Sequence, residues 1–220
     1  MDYLEIRRRI DAAAQRAGHS ATLLAVSKTK PAGAVRALAL QGQHAFGENY
    51  VQEALAKQRE LTDLNLEWHL IGPLQSNKCR DVAENFAWLQ TLDRVKLIDL
   101  LNRFRPESLP PLNVLIQVNI DDESSKSGCA ADNVSSLAER IANAPRLALR
   151  GLMAVPEPSS DIEMRRRAFR RMRELFDALK ANHPSVDMLS MGMSDDFEIA
   201  IEEGATMVRI GTALFGARDR

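Results

Sequence analysis

The sequence predicts an α/β fold: a single (β/α)8 TIM barrel preceded by one extra N-terminal helix. Three observations predict it. Strand-like and helix-like stretches alternate about eight times, which implies parallel strands joined by helical crossovers. The 220 residues carry no break in composition and no low-complexity segment, so one domain over 1–220 is expected, near the lower end of barrel length. Chemistry-bearing side chains also recur at the C-terminal ends of the expected strands, where barrels build their sites. The rival, a doubly wound open sheet, is not supported by a Gly-x-Gly-x-x-Gly after the first strand.

Each element follows from a local pattern. Residues 2–17 place Leu4, Ile6, Ile10, Ala13 and Ala14 on one helical face, and Gly18 ends the helix. The apolar run 22–27 reads as a buried strand with Lys28 at its tip. Alternation puts Lys28 on the face of Leu24 and Val26. Pro31 can start a helix whose apolar side is Ala34, Val35, Leu38 and Ala39, stopped by Gly42. A strand at 45–49 and a helix at 51–61 follow, then a strand at 67–72 and a polar helix start at 75–78. Residues 88–92 form the fourth strand and 95–104 a helix, with Pro106, Pro110 and Pro111 in the connection. The fifth strand is 113–120, followed by a polar loop at 121–128 and a helix at 134–141. The sixth is 149–155, closed by Pro156. A long arginine-rich helix at 161–181 precedes a strand at 186–191, a short helix at 195–203 ended by Gly204, and a last strand at 207–211.

Composition narrows the function. Basic and acidic residues nearly balance, for a net charge of -1, which argues against a nucleic-acid or membrane-surface protein. Cys79 and Cys129 have no metal-ligand or redox spacing and read as ordinary thiols of a reducing compartment. The N-terminus is charged and amphipathic, unlike a signal peptide, and no apolar run is long enough to cross a bilayer. A cytoplasmic globular protein is expected.

Candidate site residues gather at strand ends. A lysine such as Lys28, projecting from a packed core, is partly desolvated, which favours the neutral amine that attacks carbonyls. Asn49 and Asn119 close the second and fifth strands, and Glu48 and His69 lie near such ends. The loops after the last two strands carry Ser194 and Gly211-Thr212. Barrels often bind phosphate there, beside a short extra helix. Ser194 is expected to cap the helix starting near Asp195, and Gly211 lets the backbone approach an anion. Asp195 and Asp196 would repel a phosphate unless their carboxylates turn away. Arg209, in mid-strand, faces opposite to Val208 and Ile210. It is either a buried ion-pair partner, with Glu48 as a candidate, or a donor aimed at a ligand. A lysine beside phosphate loops suggests a Schiff-base aldolase or a pyridoxal-phosphate protein, and an opposing arginine favours the second because it can donate to the pyridine nitrogen.

The residues at 25–31 (Ala-Val-Ser-Lys-Thr-Lys-Pro), 46–53 (Phe-Gly-Glu-Asn-Tyr-Val-Gln-Glu) and 68–78 (Trp-His-Leu-Ile-Gly-Pro-Leu-Gln-Ser-Asn-Lys) carry a resemblance. So do those at 125–128, 151–154, 189–196 and 208–216. In this order the chain resembles the YggS/PROSC family of pyridoxal phosphate homeostasis proteins. The resemblance implies a fold-type III barrel similar to the N-terminal domain of alanine racemase. It implies pyridoxal 5'-phosphate as cofactor, held by Lys28 as an internal aldimine. It places Asn49 near the ring's phenolic oxygen, Ser194, Gly211 and Thr212 on the phosphate, Ser190 in support of that loop, and Arg209 at the pyridine nitrogen. No metal is implied.

The function implied is carriage or buffering of the cofactor within the cell, by a monomer, with apo-enzymes as recipients and little or no catalysis. The alternative is a fold-type III amino-acid racemase. Such racemases add a second domain and a catalytic tyrosine. Here the sequence ends at Arg220, shortly after the eighth strand, and its tyrosines are Tyr3 and Tyr50. His69 is the best stand-in for a second acid/base, though bonding to its neighbours is the plainer reading. Among Lys30, Lys78 and Lys126, one is expected to take the cofactor aldehyde transiently during transfer. The arginines at 165–173 read as a solvated helix face rather than a partner surface.

Overall fold

The computed structural model describes residues 2–121, 127–157 and 159–216. Helix α1 (Tyr3–Ala17) buries Tyr3, Ile6, Ile10, Ala13 and Ala14 and ends at Gly18, whose φ of 75° is the left-handed stop that glycine adopts freely. Strand β1 (Thr22–Val26) leads to α2 (Ala32–Ala39), and β2 (Ala45–Glu48) to α3 (Val51–Glu60). Strand β3 (Glu67–Leu70) precedes a 3-10 turn at Ser76–Lys78 and α4 (Cys79–Asn85). Then come β4 (Trp88–Leu92), α5 (Val95–Phe104), β5 (Leu112–Gln117), α6 (Val134–Ala142), β6 (Leu147–Met153) and α7 (Ile162–Asn182). The chain closes with β7 (Met188–Ser190), α8 (Phe197–Glu202), β8 (Met207–Ile210) and the single turn α9 (Thr212–Phe215).

The eight strands form a closed barrel in sequence order, with β8 pairing β1 in parallel. Every expected strand is present, and the differences lie at the ends. The fifth strand stops at Gln117 rather than 120 because the chain there turns to a different partner. Val118 makes an isolated bridge with Cys129, and the Asn119 N–H donates to the Cys129 carbonyl at 2.9 Å. Register shifts between Leu89 and Leu92, and between Val114 and Leu115, displace β5 and β6. At Gly151 φ is 149° and a Cβ would lie 1.8 Å from the Met188 carbonyl oxygen, so β6 can sit against β7 only with glycine there.

Two apolar layers result. The larger lies between sheet and helices and includes Phe46, Leu70, Leu89, Leu92, Phe169 and Ile201. Each such fully buried side chain contributes about 1.5–3 kcal/mol of transfer free energy. The smaller, of Trp88, Leu115 and Met153, forms a separate cluster.

Most arginines of α7 are exposed, as expected of a solvated face, and some of them also pair with carboxylates at α8. Arg166 donates to Glu202 at 2.7 Å and Glu203 at 2.8 Å, and Arg170 bonds Glu203 at 3.1 Å. Glu202 also takes Arg16 of α1 at 3.3 Å, and Glu198 takes Arg9 at 2.7 Å. Charge periodicity on α7 could not reveal these partners, because they sit on another helix. Helices α1, α7 and α8 are thereby joined behind the loop that follows β7.

Candidate functional site

Val26 of β1 and the Lys28 that follows it open onto one cavity of about 370 Å³. It is shared with Asn49 after β2, Ser194 and Asp195 after β7, and Arg209, Gly211 and Thr212 at β8. Those residues come from the C-terminal ends of strands, as parallel barrels arrange them. A cavity of this size suits a small molecule. Lys28 is half-buried and lines this cavity. Asn49 is fixed through its backbone. A Cβ on Gly72 would lie 2.1 Å from the Asn49 carbonyl oxygen, so the bareness of Gly72 lets the two loops meet.

Ser194 does not cap the helix after β7. Asp196 is the N-cap residue of α8, and its Oδ1 accepts the Met193 N–H at 2.7 Å. The Ser194 hydroxyl instead accepts the Ala213 N–H of α9 at 3.5 Å, linking the two loops. A helix starting two residues later than expected turns Ser194 from a cap into a tie. Burial raises the Asp196 carboxyl above its ordinary range, with the Met193 N–H acting against this. Asp196 faces a neighbouring cavity of about 250 Å³, whereas Asp195 lines both. Asp196 is therefore turned from the Lys28 cavity, while Asp195 remains at its edge.

Arg209 is buried and unpaired with Glu48. Its Nη2 donates to the Ala154 carbonyl at 2.7 Å and its Nη1 to the Ser190 hydroxyl at 2.8 Å. Burial lowers its pKa to about 10, so it remains a cation at neutral pH. An arginine can only donate, and this fixes the polarity of everything beneath it. Ser190 accepts from Arg209 and so donates to Gln90 Oε1, at 2.7 Å. The amide nitrogen of Gln90 then faces His69 Nδ1 at 3.0 Å, and His69 Nε2 faces Glu67 at 2.9 Å. His69 must accept at Nδ1 and carry its proton at Nε2. Burial lowers its pKa, against the pull of the Glu67 carboxylate. Its ring stacks on Trp88 with centroids 5.1 Å apart.

Ser190 thus stands under Arg209 rather than on an anion-binding loop, and His69 is committed to its neighbours. Neither lines the cavity, nor does Asn119. Lys30 shares a smaller cavity of about 60 Å³ with Lys28 and Thr212, and Lys78 pairs with Asp81 at 3.9 Å. Lys126 lies outside the described residues.

Gln90 and Lys57 escaped sequence reading, and Glu48, expected as a partner of Arg209, belongs instead to a buried cluster on the outer side of β2. In that cluster Lys57 of α3 bonds Glu48 and Glu53, each at 2.7 Å. A signal was available: Lys57 repeats the helical spacing of Val51 and Ala54, which places a charge on a buried face. Burial raises the Glu48 carboxyl, and the hydrogen bonds from Lys57 and Ser27 oppose it.

Residues 1–219 match the family model described as alanine racemase, N-terminal domain. A pyridoxal phosphate homeostasis protein of Pseudomonas aeruginosa is 56% identical over 218 residues, 98% of this chain and 94% of that protein. The protein of the same name from Escherichia coli strain K12 is 55% identical over 221 residues, 98% of this chain and 94% of its own. The structure of PipY from Synechococcus elongatus PCC7942 with PLP bound superposes with a TM-score of 0.84 at 36% identity. It covers 95% of this chain and 99% of that one.

Proposed function

The chain belongs to the alanine racemase N-terminal domain family, and on that premise we propose that it binds pyridoxal 5'-phosphate and serves the homeostasis of that cofactor. The observation that carries the reading is the single cavity shared by Lys28, Asn49, Ser194, Arg209, Gly211 and Thr212. The donor set fits the group. It offers a primary amine, a buried guanidinium, two hydroxyls and a glycine backbone flanking a helical turn, against an aldehyde, a pyridine nitrogen and a phosphate. When bound, the cofactor supplies an aldehyde that condenses with a primary amine, releasing water.

In this reading Lys28, half-buried at the cavity, offers that amine. Ser194, Gly211 and Thr212 hold the phosphate and Asn49 orients the ring. Arg209 donates toward the ring nitrogen, with Ser190 supporting it from below. A guanidinium that keeps its proton leaves that nitrogen unprotonated, which weakens the ring as an electron sink. The site is therefore built to hold the cofactor rather than to drive carbanion chemistry. Two-sided proton transfer needs a second group within reach, and neither Tyr50 nor His69 lines the cavity. We accordingly read the chain as a carrier, not a racemase, acting as one domain over 1–220 and as a monomer, with apo-enzymes as recipients.

We place it in the cytoplasm. Its two thiols are free and buried, each pushed up to about 11 by burial. No helix among the described residues is long and apolar enough to cross a membrane.

The test is the visible spectrum of protein incubated with pyridoxal phosphate, wild type beside Lys28→Ala, followed by borohydride reduction and peptide mapping. Cofactor fixed to the Lys28 peptide, and absent from the variant, is the expected result. A wild-type protein left unlabelled overturns the reading. Robust racemization of amino acids that depends on Lys28 overturns the carrier assignment alone.

A further inference from the structure

Just after Lys28 the backbone takes an unfavourable turn. Thr29 has φ of 64°, the one non-glycine residue with positive φ among the described residues. A β-branched residue is poorly suited to that region. The chain is gripped on both sides of Lys28. Before it, the Ser27 carbonyl accepts from Lys57 Nζ at 2.7 Å, and the Ser27 hydroxyl donates to Glu48 Oε1 at 2.6 Å. After it, the Thr29 N–H donates to Glu53 Oε1 at 2.6 Å. Lys57 joins the two grips, since its ammonium also donates to Glu48 and Glu53, each at 2.7 Å. The pair Glu48–Lys57 is almost wholly buried, yet neither residue lines the cavity. Buried ion pairs are weak sources of stability because desolvation offsets their attraction. This one is placed where it fixes a strained backbone.

We propose that Glu48, Lys57 and Glu53 are positioning residues that clamp Ser27 and Thr29 and thereby aim the Lys28 amine into the cavity. The inference rests on the reading of Lys28 as the amine that takes the cofactor. The strain supplies the test, because glycine adopts positive φ without help. Releasing the grip by Glu53→Ala should let Thr29 relax to negative φ. Glu53→Gln keeps an acceptor for the Thr29 N–H and should retain most of the effect. Thr29→Gly in the Glu53→Ala background should restore the turn.

Two readouts are needed. In the cofactor-free protein, the amide-to-Hα coupling and intraresidue contact of Thr29, measured by NMR, report the sign of φ. With pyridoxal phosphate added, the rate of borohydride-trappable attachment to Lys28 reports aim. We expect negative φ in Glu53→Ala, attachment slowed about tenfold, and recovery of most of that loss in the double variant. An unchanged φ in Glu53→Ala overturns the clamp whether or not the cofactor binds. Wild-type attachment matched by Glu53→Ala, or slowing that Thr29→Gly does not relieve, overturns it too while leaving the cofactor reading intact. A wild-type protein that never labels Lys28 defeats the cofactor reading instead, and the NMR result then decides the clamp alone.

Discussion

Ser190→Ala removes one oxygen from the centre of the barrel, and the structure says what it leaves behind. Ser190 accepts from Arg209 Nη1 at 2.8 Å and donates to Gln90 Oε1 at 2.7 Å, with no solvent exposure. The change strips one acceptor from a buried cation and one donor from a buried amide. A hydrogen bond to a charged group is worth about 1.5–3 kcal/mol and a neutral one about 0.5–1.5. Water is a poor substitute in so small a gap. The expected loss is roughly 2–4 kcal/mol, or a fall in Tm of roughly 5–15 °C for a chain of this length. Urea denaturation at pH 7.5 measures it directly. A double-mutant cycle with Gln90→Leu sharpens it: if the two residues share one bond, their effects should fall short of additivity by about 0.5–1.5 kcal/mol. A loss under about 0.5 kcal/mol, or strict additivity, would refute the two buried bonds assigned to Ser190.

Two further outcomes follow from described geometry. The buried His69 holds its proton less tightly than an exposed histidine, so below about pH 6.5 the unfolded chain gains a proton that the folded chain resists. Stability is complete above that value and falls as the pH drops through the depressed folded value. The slope, at most about 1.4 kcal/mol per pH unit, should flatten in His69→Gln, as read from urea midpoints between pH 5 and 8; identical slopes would contradict it. Gly72→Ala sets a Cβ 2.1 Å from the Asn49 carbonyl oxygen. It should cost about 1–3 kcal/mol and weaken pyridoxal phosphate binding by displacing Asn49. Unchanged Tm and titration curve would show that Asn49 is not held as described.

The barrel was legible because its strands are short apolar runs punctuated by proline, glycine and helical spacing. The fourth strand and the helix after it match their expected limits residue for residue. Strand ends were less legible where register shifts, since the bulge beside Leu115 depends on the neighbouring strands and leaves no local mark. Within the site, Lys28 and Arg209 were visible as charges in apolar strands. Ser190 was visible only as a polar residue near a loop, because its task depends on Gln90, a hundred residues away. Thr29 could not be foreseen at all. Nothing in a threonine announces positive φ, and the carboxylate that holds it arrives from α3.

The interior chain from Glu67 through His69, Gln90 and Ser190 to Arg209 also bears on how the molecule comes to be made. Its first members lie in β3 and β4, its last in β7 and β8. While the polypeptide emerges, the amide oxygen of Gln90 must wait a hundred residues for Ser190, although the amide nitrogen already has His69. Until then a closed early half would enclose the Gln90 amide oxygen with its bonding unmet, a state that costs more than staying open to water. A ribosome-bound fragment ending after β6 should therefore remain protease-sensitive. Closure of the barrel, bringing β8 to β1, would come as one late event. The same bonds that orient Arg209 in the finished protein would then act as a check on completeness, sealed only when the last strand is in place.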